Sequence, residues 1–322
     1  MEFKLKERLF MKRQYYYEGK LLKGDQNRYY TQNAETLAEA MEKNLILEGI
    51  SYLCDHDRHL HIRLGDTEGI IPRSECIYTQ GGLPEKDIAI ISRVGKPVCV
   101  KVTGIERDAD GVPRAICSRR EAQMDCMRNK ISNLETGDVI EARITRLDPF
   151  GAFCDVGCGI ISLLPIDCMS VSRISHPRDR FRNGQVIKAV VKNRADEFGR
   201  ITLTHRELLG TWEENAARFT SGQTAAGIVR SIEDYGVFVE LAPNLAGLAE
   251  CRSDVSVGQS AAVFIKNIIP DRMKVKLAII DCMDSDNTVP DYEYPDVSHI
   301  DRWKYSPDGC EKVIESIFNE NG

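Results

Sequence analysis

The stretch that decides the fold is Ile140–Ser170, with the sequence IEARITRLDPFGAFCDVGCGIISLLPIDCMS. It contains three short segments typical of β-strands, with a tight turn, Pro149–Phe153, between the first two. Phe150 and Phe153 flank a Gly-Ala pair in this turn, and the basic Arg143 lies just upstream. Large aromatic side chains on the strands of a small barrel either fill its core or form a platform on which bases stack. The residues of this stretch alone leave both interpretations open.

The rest of the chain indicates a protein of several small domains. A length of 322 residues predicts two or three of them. The net charge is −6, but residues 281–322 contain 11 Asp and Glu against 3 Lys and Arg, so the preceding residues carry about +2. This distribution permits nucleic-acid binding without requiring it.

No apolar run is long enough to cross a bilayer, and the N-terminus lacks the apolar segment of a secretory signal. We therefore expect a cytoplasmic protein whose 11 cysteines are reduced.

An internal repeat organises most of the chain. The segment Phe150-Gly-Ala-Phe153 recurs as Tyr235-Gly-Val-Phe238, and Gly137 recurs as Gly222, all at an offset of 85 residues. A weaker first copy contains Gly69-Ile-Ile-Pro where the second has Ser162-Leu-Leu-Pro, and each copy closes on a short strand pattern. Three copies joined by short helices predict an all-β protein with connector helices, built as a tandem of three five-stranded barrels.

The repeat and the helix signals divide the chain into seven segments. The capping-box patterns Ser118–Glu121 and Thr204–Glu207 mark the starts of the two connectors. The predicted segments are an N-terminal basic and aromatic arm with a helix (1–45), a first barrel (46–118), a connector helix (119–134), a second barrel (135–205), a second connector helix (206–219), a third barrel (220–280) and an acidic C-terminal extension (281–322).

These motifs resemble the S1 RNA-binding domain family, whose members are five-stranded OB-fold barrels. The resemblance covers about residues 46–280, strongly in the second and third copies and weakly in the first, which is similar to the degenerate N-terminal domains of the family. It implies binding of single-stranded RNA, such as mRNA, in translation, with the ribosome as a possible further partner. It implies no catalysis and no cofactor.

The family's RNA-binding positions carry over onto particular residues, and the second barrel is predicted as the main RNA-binding barrel. The matching residues are Phe150, Phe153, Asp196 and Arg200 in the second copy, and Tyr235, Phe238 and Lys274 in the third. Pro165 and Glu250 replace the histidine that the family usually has on the third strand, and a glutamate at this position is expected to repel phosphate. Independently of the resemblance, Arg143 and its basic neighbours are typical of a track that neutralises phosphates.

Alternative functions are weaker but remain open. A scaffold that docks on a ribosome or an RNA-processing complex would explain the missing histidine and the acidic balance. His59 and His61 on one strand face suggest a metal site, but no further ligand stands at a suitable spacing, so we predict no metal. No catalytic motif is present in the sequence. The acidic extension, predicted to end in a short helix, either packs on the third barrel, covers a basic face or binds a partner.

Overall fold

The computed structural model describes residues 15–79, 86–196, 200–285 and 289–318. Residues 1–14, the first part of the predicted arm, lie outside these ranges. The chain divides into two compact units. Unit 1 comprises Met1–Leu134, Asp155–Ser162 and Arg194–Ile201, and unit 2 comprises Glu135–Cys154, Leu163–Asn193 and Thr202–Gly322.

The predicted architecture of three five-stranded barrels is confirmed. Each barrel is closed and has the same strand order: along the chain, strands one, two and three are neighbours, strand three pairs with strand five, and strand four closes the barrel onto strand one. This order is that of the OB fold. The first barrel contains β1 (Leu47–Cys54), β2 (Leu60–Leu64), β3 (Thr67–Ile71), β4 (Pro97–Arg107) and β5 (Pro113–Ser118); the second contains β6 (Val139–Asp148), β7 (Gly151–Asp155), β8 (Ile161–Pro165), β9 (Val186–Asn193) and β10 (Thr202–Thr204); the third contains β11 (Thr224–Glu233), β12 (Gly236–Ala242), β13 (Leu245–Ala249), β14 (Ser260–Ile269) and β15 (Lys274–Met283).

Because apolar and polar residues alternate along the strands, each barrel has an apolar core and a polar outer surface. In β2, Leu60, Ile62 and Leu64 are fully buried, and the intervening His61 and Arg63 point outward. Successive side chains of a strand point to opposite faces, so the inward set of each strand meets the others in one core. Burying one such apolar side chain contributes about 1.5–3 kcal/mol to folding.

The strand register reproduces the alignment of the three copies. In each barrel, the third strand pairs in parallel with the fifth. Equivalent pairs in the three barrels are Ile70 with Ile116, Leu163 with Thr202, and Leu248 with Lys276. The basic residues Arg114, Arg200 and Lys274 each precede the paired residue of the fifth strand by two. The same physical position on the three barrels therefore carries a cation.

Short helices precede, interrupt and connect the barrels along the chain. Helices α1 (Asp25–Tyr30) and α2 (Ala34–Glu42) precede β1, and α3 (Asp87–Ile91) lies between β3 and β4. The connectors contain α4 (Arg119–Asn129), after the first barrel, and α5 (Trp212–Ala216), after the second, with 3-10 turns that include Arg206–Leu208. The Ser118 hydroxyl accepts a hydrogen bond from the Glu121 amide and caps α4. The second connector is shorter than a continuous helix over 206–219, because Thr204 is followed only by a 3-10 turn and Thr211 caps a new helix.

The C-terminal extension packs on unit 2, and its predicted terminal helix is wrong. Trp303 and Tyr305 are buried in the core of the third barrel. Residues Glu315–Ile317 form β17, which pairs with β16 (Arg302–Lys304). The backbone N–H and C=O groups of this segment form hydrogen bonds with β16. A helix of so few residues would leave most of these groups without a partner. No helix among the described residues is long and apolar enough to cross a membrane.

Candidate nucleic-acid interface

Phe150 and Phe153 form an aromatic pair on the outer surface of the second barrel. The Phe150 side chain is 55% exposed and lies in the turn before β7, while Phe153 is half-buried on β7. Their ring centroids are 5.8 Å apart and the ring planes are nearly perpendicular, at 89°. The Arg146 guanidinium lies 4.2 Å from the centroid of the Phe153 ring, within range of a cation–π contact. The open question of core or surface is thus decided: neither ring belongs to the barrel core.

A close approach of two strands explains the glycine between these aromatics. A Cβ atom at Gly151 would lie 2.7 Å from the carbonyl oxygen of Leu164, and one at Gly236 would lie 2.5 Å from that of Ala249. Only glycine permits this approach, which a larger residue would prevent by steric overlap. Backbone packing therefore explains the glycine of the aromatic-Gly-x-aromatic pattern. The two aromatic side chains of the pattern lie on the outer surface of the barrel.

The third barrel repeats this arrangement. Tyr235 is 69% exposed, and its ring centroid lies 6.1 Å from that of Phe238 at an interplanar angle of 89°. Phe238 pairs with Leu248 across β12 and β13, and Leu248 pairs with Lys276 across β13 and β15. The outer face of this barrel therefore carries an aromatic, an aliphatic and a cationic side chain on three neighbouring strands.

The glutamate that was expected to repel phosphate has a cationic partner. Glu250 follows β13, and one of its carboxylate oxygens accepts a hydrogen bond of 2.7 Å from the Lys266 ammonium. This hydrogen bond lowers the pKa of Glu250 from its usual range. Because the two charges compensate each other, the local repulsion of a phosphate is smaller than the sequence suggests.

The other predicted residues occupy separate places on the surface. In unit 1, Arg200 makes an ion pair with Asp196, with 2.9 Å between Nε and Oδ2, and its amide donates to Oδ1 at 2.8 Å. Both residues are exposed. In unit 2, Arg143 is half-buried on β6, and Lys274 is exposed at the start of β15, opposite Ile269. Among the predicted residues, the structure places Phe150 next to Phe153, Tyr235 next to Phe238, and Asp196 next to Arg200.

The first barrel carries a third ring pair that the sequence comparison did not find. His61 pairs with Ile70 as Phe238 pairs with Leu248, so His61 occupies the position of Phe238. The Tyr52 and His61 rings are 6.2 Å apart. The first barrel lacks the aromatic-Gly-x-aromatic motif, so this pair is identified only from the strand register.

Carboxylates surround the ring pair of the first barrel. The His61 nitrogens lie 2.9 Å and 3.1 Å from oxygens of Glu68 and Asp55, and Arg114 lies 2.7 Å from Glu68. The Tyr52 hydroxyl donates a hydrogen bond to Glu68 and lowers the pKa of that carboxyl. The Glu68 carboxylate compensates the charge of Arg114, and the acidic groups around His61 repel phosphate. No group of His, Cys, Asp and Glu in the described part of the chain could hold a metal ion.

Lys276 is not among the residues predicted from the sequence, and Arg146 was covered there only as one of the basic neighbours of Arg143. Alternation in β15 was the available signal for Lys276, because Lys274 and Lys276 flank the buried Val275 and must share the outer face. Nothing in the sequence places the Arg146 guanidinium over a particular ring.

Strand order, closure and exposed aromatic pairs define an OB-type barrel whose class binds oligonucleotides. Residues 133–206, which include the second barrel, match the model of the S1 RNA binding domain. This region is therefore an S1 domain, and the identification of the S1 family from the sequence is confirmed.

The chain is similar to bacterial ribosomal proteins. It is 28% identical over 211 residues to the small ribosomal subunit protein bS1 homolog of Bacillus cereus, covering 62% of this chain and 55% of the relative. It is 28% identical over 202 residues to the bS1 homolog of Bacillus subtilis, covering 61% and 50%. To bS1 of Leuconostoc lactis it is 31% identical over 154 residues, covering 47% and 34%. The chain thus spans about half the length, or less, of these relatives.

Among solved structures, the chain matches a multidomain protein with nucleic acid binding domains from Streptococcus pneumoniae. The match has 14% sequence identity and covers 74% of each chain, with a TM-score of 0.24.

Proposed function

We propose that this protein binds single-stranded RNA through the outer faces of its second and third barrels, with the second as the main RNA-binding barrel. The observation that supports the proposal most directly is the exposed aromatic pair that recurs at one register in both barrels. When a base stacks on an exposed aromatic ring, the apolar surface of the ring is removed from water, which favours binding. Exposed aromatic pairs are therefore typical of proteins that bind single strands.

Two interactions contribute to the proposed binding: bases stack on the aromatic rings, and basic side chains neutralise phosphates. A base stacked on Phe150 or Phe153 contributes about 1–3 kcal/mol, whatever its identity. Arg146, Arg143 and Lys276 are the cations of these faces that we assign to phosphates. Because phosphate contacts release counterions, affinity falls as salt rises. The proposed mode is tolerant of sequence and sensitive to ionic strength.

Asp196 and Arg200 are proposed as a separate polar contact with RNA. A carboxylate accepts hydrogen bonds only, and the Asp196 carboxylate can accept from a base or from the 2′-hydroxyl that distinguishes RNA from DNA. The ion pair of 2.9 Å with Arg200 holds this carboxylate in one orientation. We assign Lys274 of the third barrel to the position equivalent to Arg200.

The wider context is also a proposal. The named relatives are ribosomal proteins, and we infer that this chain acts by binding rather than by catalysis, in the cytoplasm, with mRNA as its RNA and the ribosome as a further partner. The polar network of the first barrel favours a role other than RNA binding for that barrel.

The test is the binding of a fluorescein-labelled oligouridylate of about 12 nucleotides, followed by anisotropy at low and high salt. Wild-type protein should bind less tightly at higher salt. The variant Phe150→Ala/Phe153→Ala should lose at least about 2 kcal/mol, or roughly 30-fold in affinity.

Phe264→Ala is the matched control, because Phe264 is also partly exposed, at 39%, but lies on β14 away from the aromatic pair of its barrel. It should bind as the wild type does. Equal binding by the double variant and the control would refute the assignment of the site, and no binding by wild-type protein at low salt would favour the scaffold function.

A further inference from the structure

Unit 2 contains a groove that the proposed RNA binding does not use. One wall is the C-terminal extension from Pro290 to Trp303, and the other is the second connector from Glu207 to Arg218. The groove encloses about 710 Å³. This volume lies in the range of sites that hold drug-sized ligands or a few residues of a peptide.

The inner surface of the groove is mainly apolar. Leu208, Pro243, Tyr292, Val297 and Trp303 line it. Val297 is 40% exposed, so part of this surface is in contact with water in the absence of a ligand. Apolar residues of a partner would gain free energy by covering it.

The charges along the groove are predominantly negative. The lining includes the carboxylates of Glu214, Asp291 and Glu293 and the cation Arg218. It also includes Glu207, but that carboxylate is buried and ion-paired with Arg206. Asp291 and Glu293 are both exposed at the edge. An acidic lining repels the phosphates of RNA and attracts cationic groups, so the groove is complementary to a ligand of opposite charge from the one assigned to the barrels.

The indole of Trp303 forms part of the groove wall. Trp303 lines the groove and is only 7% exposed, and its indole Nε1 has no hydrogen-bond partner among the described residues. A buried donor without an acceptor is unusual and costs about 1–3 kcal/mol.

We propose that this groove binds a basic peptide segment with interspersed apolar residues, supplied by a protein partner. Lysine or arginine side chains contact Asp291 and Glu293, while the apolar residues cover the surface around Tyr292 and Val297. The extension thereby acts as one wall of a docking site, a role separate from binding RNA.

The experiment measures binding of a hexapeptide of alternating lysine and leucine to the full chain by calorimetry and by tryptophan fluorescence. Both tryptophans of the chain, Trp212 and Trp303, lie in unit 2, and Trp303 lines the groove, so binding there should change the emission. The variant Asp291→Asn/Glu293→Gln should bind about tenfold more weakly, since two partly exposed ion pairs are removed.

Charge-matched controls separate the groove from general attraction. Asp271→Asn/Glu311→Gln removes two exposed carboxylates of unit 2 that do not line the groove and should bind as the wild type does. Val297→Lys should weaken binding, and Val297→Glu should preserve or strengthen it. Equal weakening in both double variants, an insensitivity to the sign of the charge at Val297, or no saturable binding up to about 1 mM peptide would each overturn the proposal. No RNA is present, so the outcome does not depend on the proposed RNA binding.

Discussion

His205 should make unit 2 sensitive to acid. The side chain is fully buried at the end of the second barrel, where Nδ1 lies 3.1 Å from the Met169 carbonyl oxygen and Nε2 lies 3.0 Å from the Tyr294 hydroxyl. Burial, with a smaller contribution from the nearby Arg180 charge, lowers the pKa of His205 from 6.5 to about 4. The folded protein therefore holds this imidazole neutral in a range where the unfolded chain protonates it.

The sign and size of the effect follow from this difference in pKa. Between the two pKa values the unfolded state binds more protons, so stability falls as the pH falls from about 6.5 towards 4. A folded pKa of about 4 corresponds to a loss of about 2 kcal/mol between pH 7 and pH 5. His299 acts in the opposite direction, because its hydrogen bond with Asp138 raises its pKa. Its partial exposure keeps that contribution below about 1 kcal/mol.

Urea unfolding followed by tryptophan fluorescence measures this effect in the relevant part of the chain, since Trp212 and Trp303 both belong to unit 2. The comparison is between wild-type protein and His205→Gln, which carries no titratable group at this position. The variant should lose the fall of about 2 kcal/mol, whatever its stability at pH 7. His56→Gln, which removes a fully exposed imidazole, should retain it. An unchanged pH dependence in His205→Gln would refute the reasoning.

Three further predictions concern packing, buried charge and the RNA-binding face. Gly151→Ala should destabilise unit 2 by about 1–3 kcal/mol in urea unfolding, because the new methyl group meets backbone. Gly104→Ala should be tolerated in thermal unfolding, because its new methyl group would make only an ordinary contact of 3.9 Å with Cβ of Ile116. Arg180→Ala leaves the buried Glu240 with one cation fewer and should cost about 3 kcal/mol; the exposed Arg302→Ala should cost under about 1 kcal/mol. Lys276→Ala should reduce the slope of log affinity against log salt for oligouridylate by about 0.7; an unchanged slope would contradict its assignment to a phosphate.

The repeat was sufficient to predict the number and type of the barrels. Alternation fixes which side chains of a strand can face inward, and the recurrence of Phe150-Gly-Ala-Phe153 as Tyr235-Gly-Val-Phe238 indicates that one unit was used more than once. Both are local properties of the chain, since they depend on the pleat of a strand and on spacing. Helix ends were predicted where a side chain caps its own backbone, as at Ser118, and less well in the short second connector.

Contacts between distant parts of the chain required the tertiary structure. Lys266 neutralises Glu250 from 16 residues away, and Glu68 surrounds His61 together with Asp55 in the first barrel. The sequence of the extension likewise does not predict that Tyr292 and Trp303 form one wall of an acidic groove. Local pattern determined which elements form, because backbone geometry is local. Which charges are compensated and which surfaces stay open was decided only by the folded chain, because those properties depend on side chains that the fold brings together.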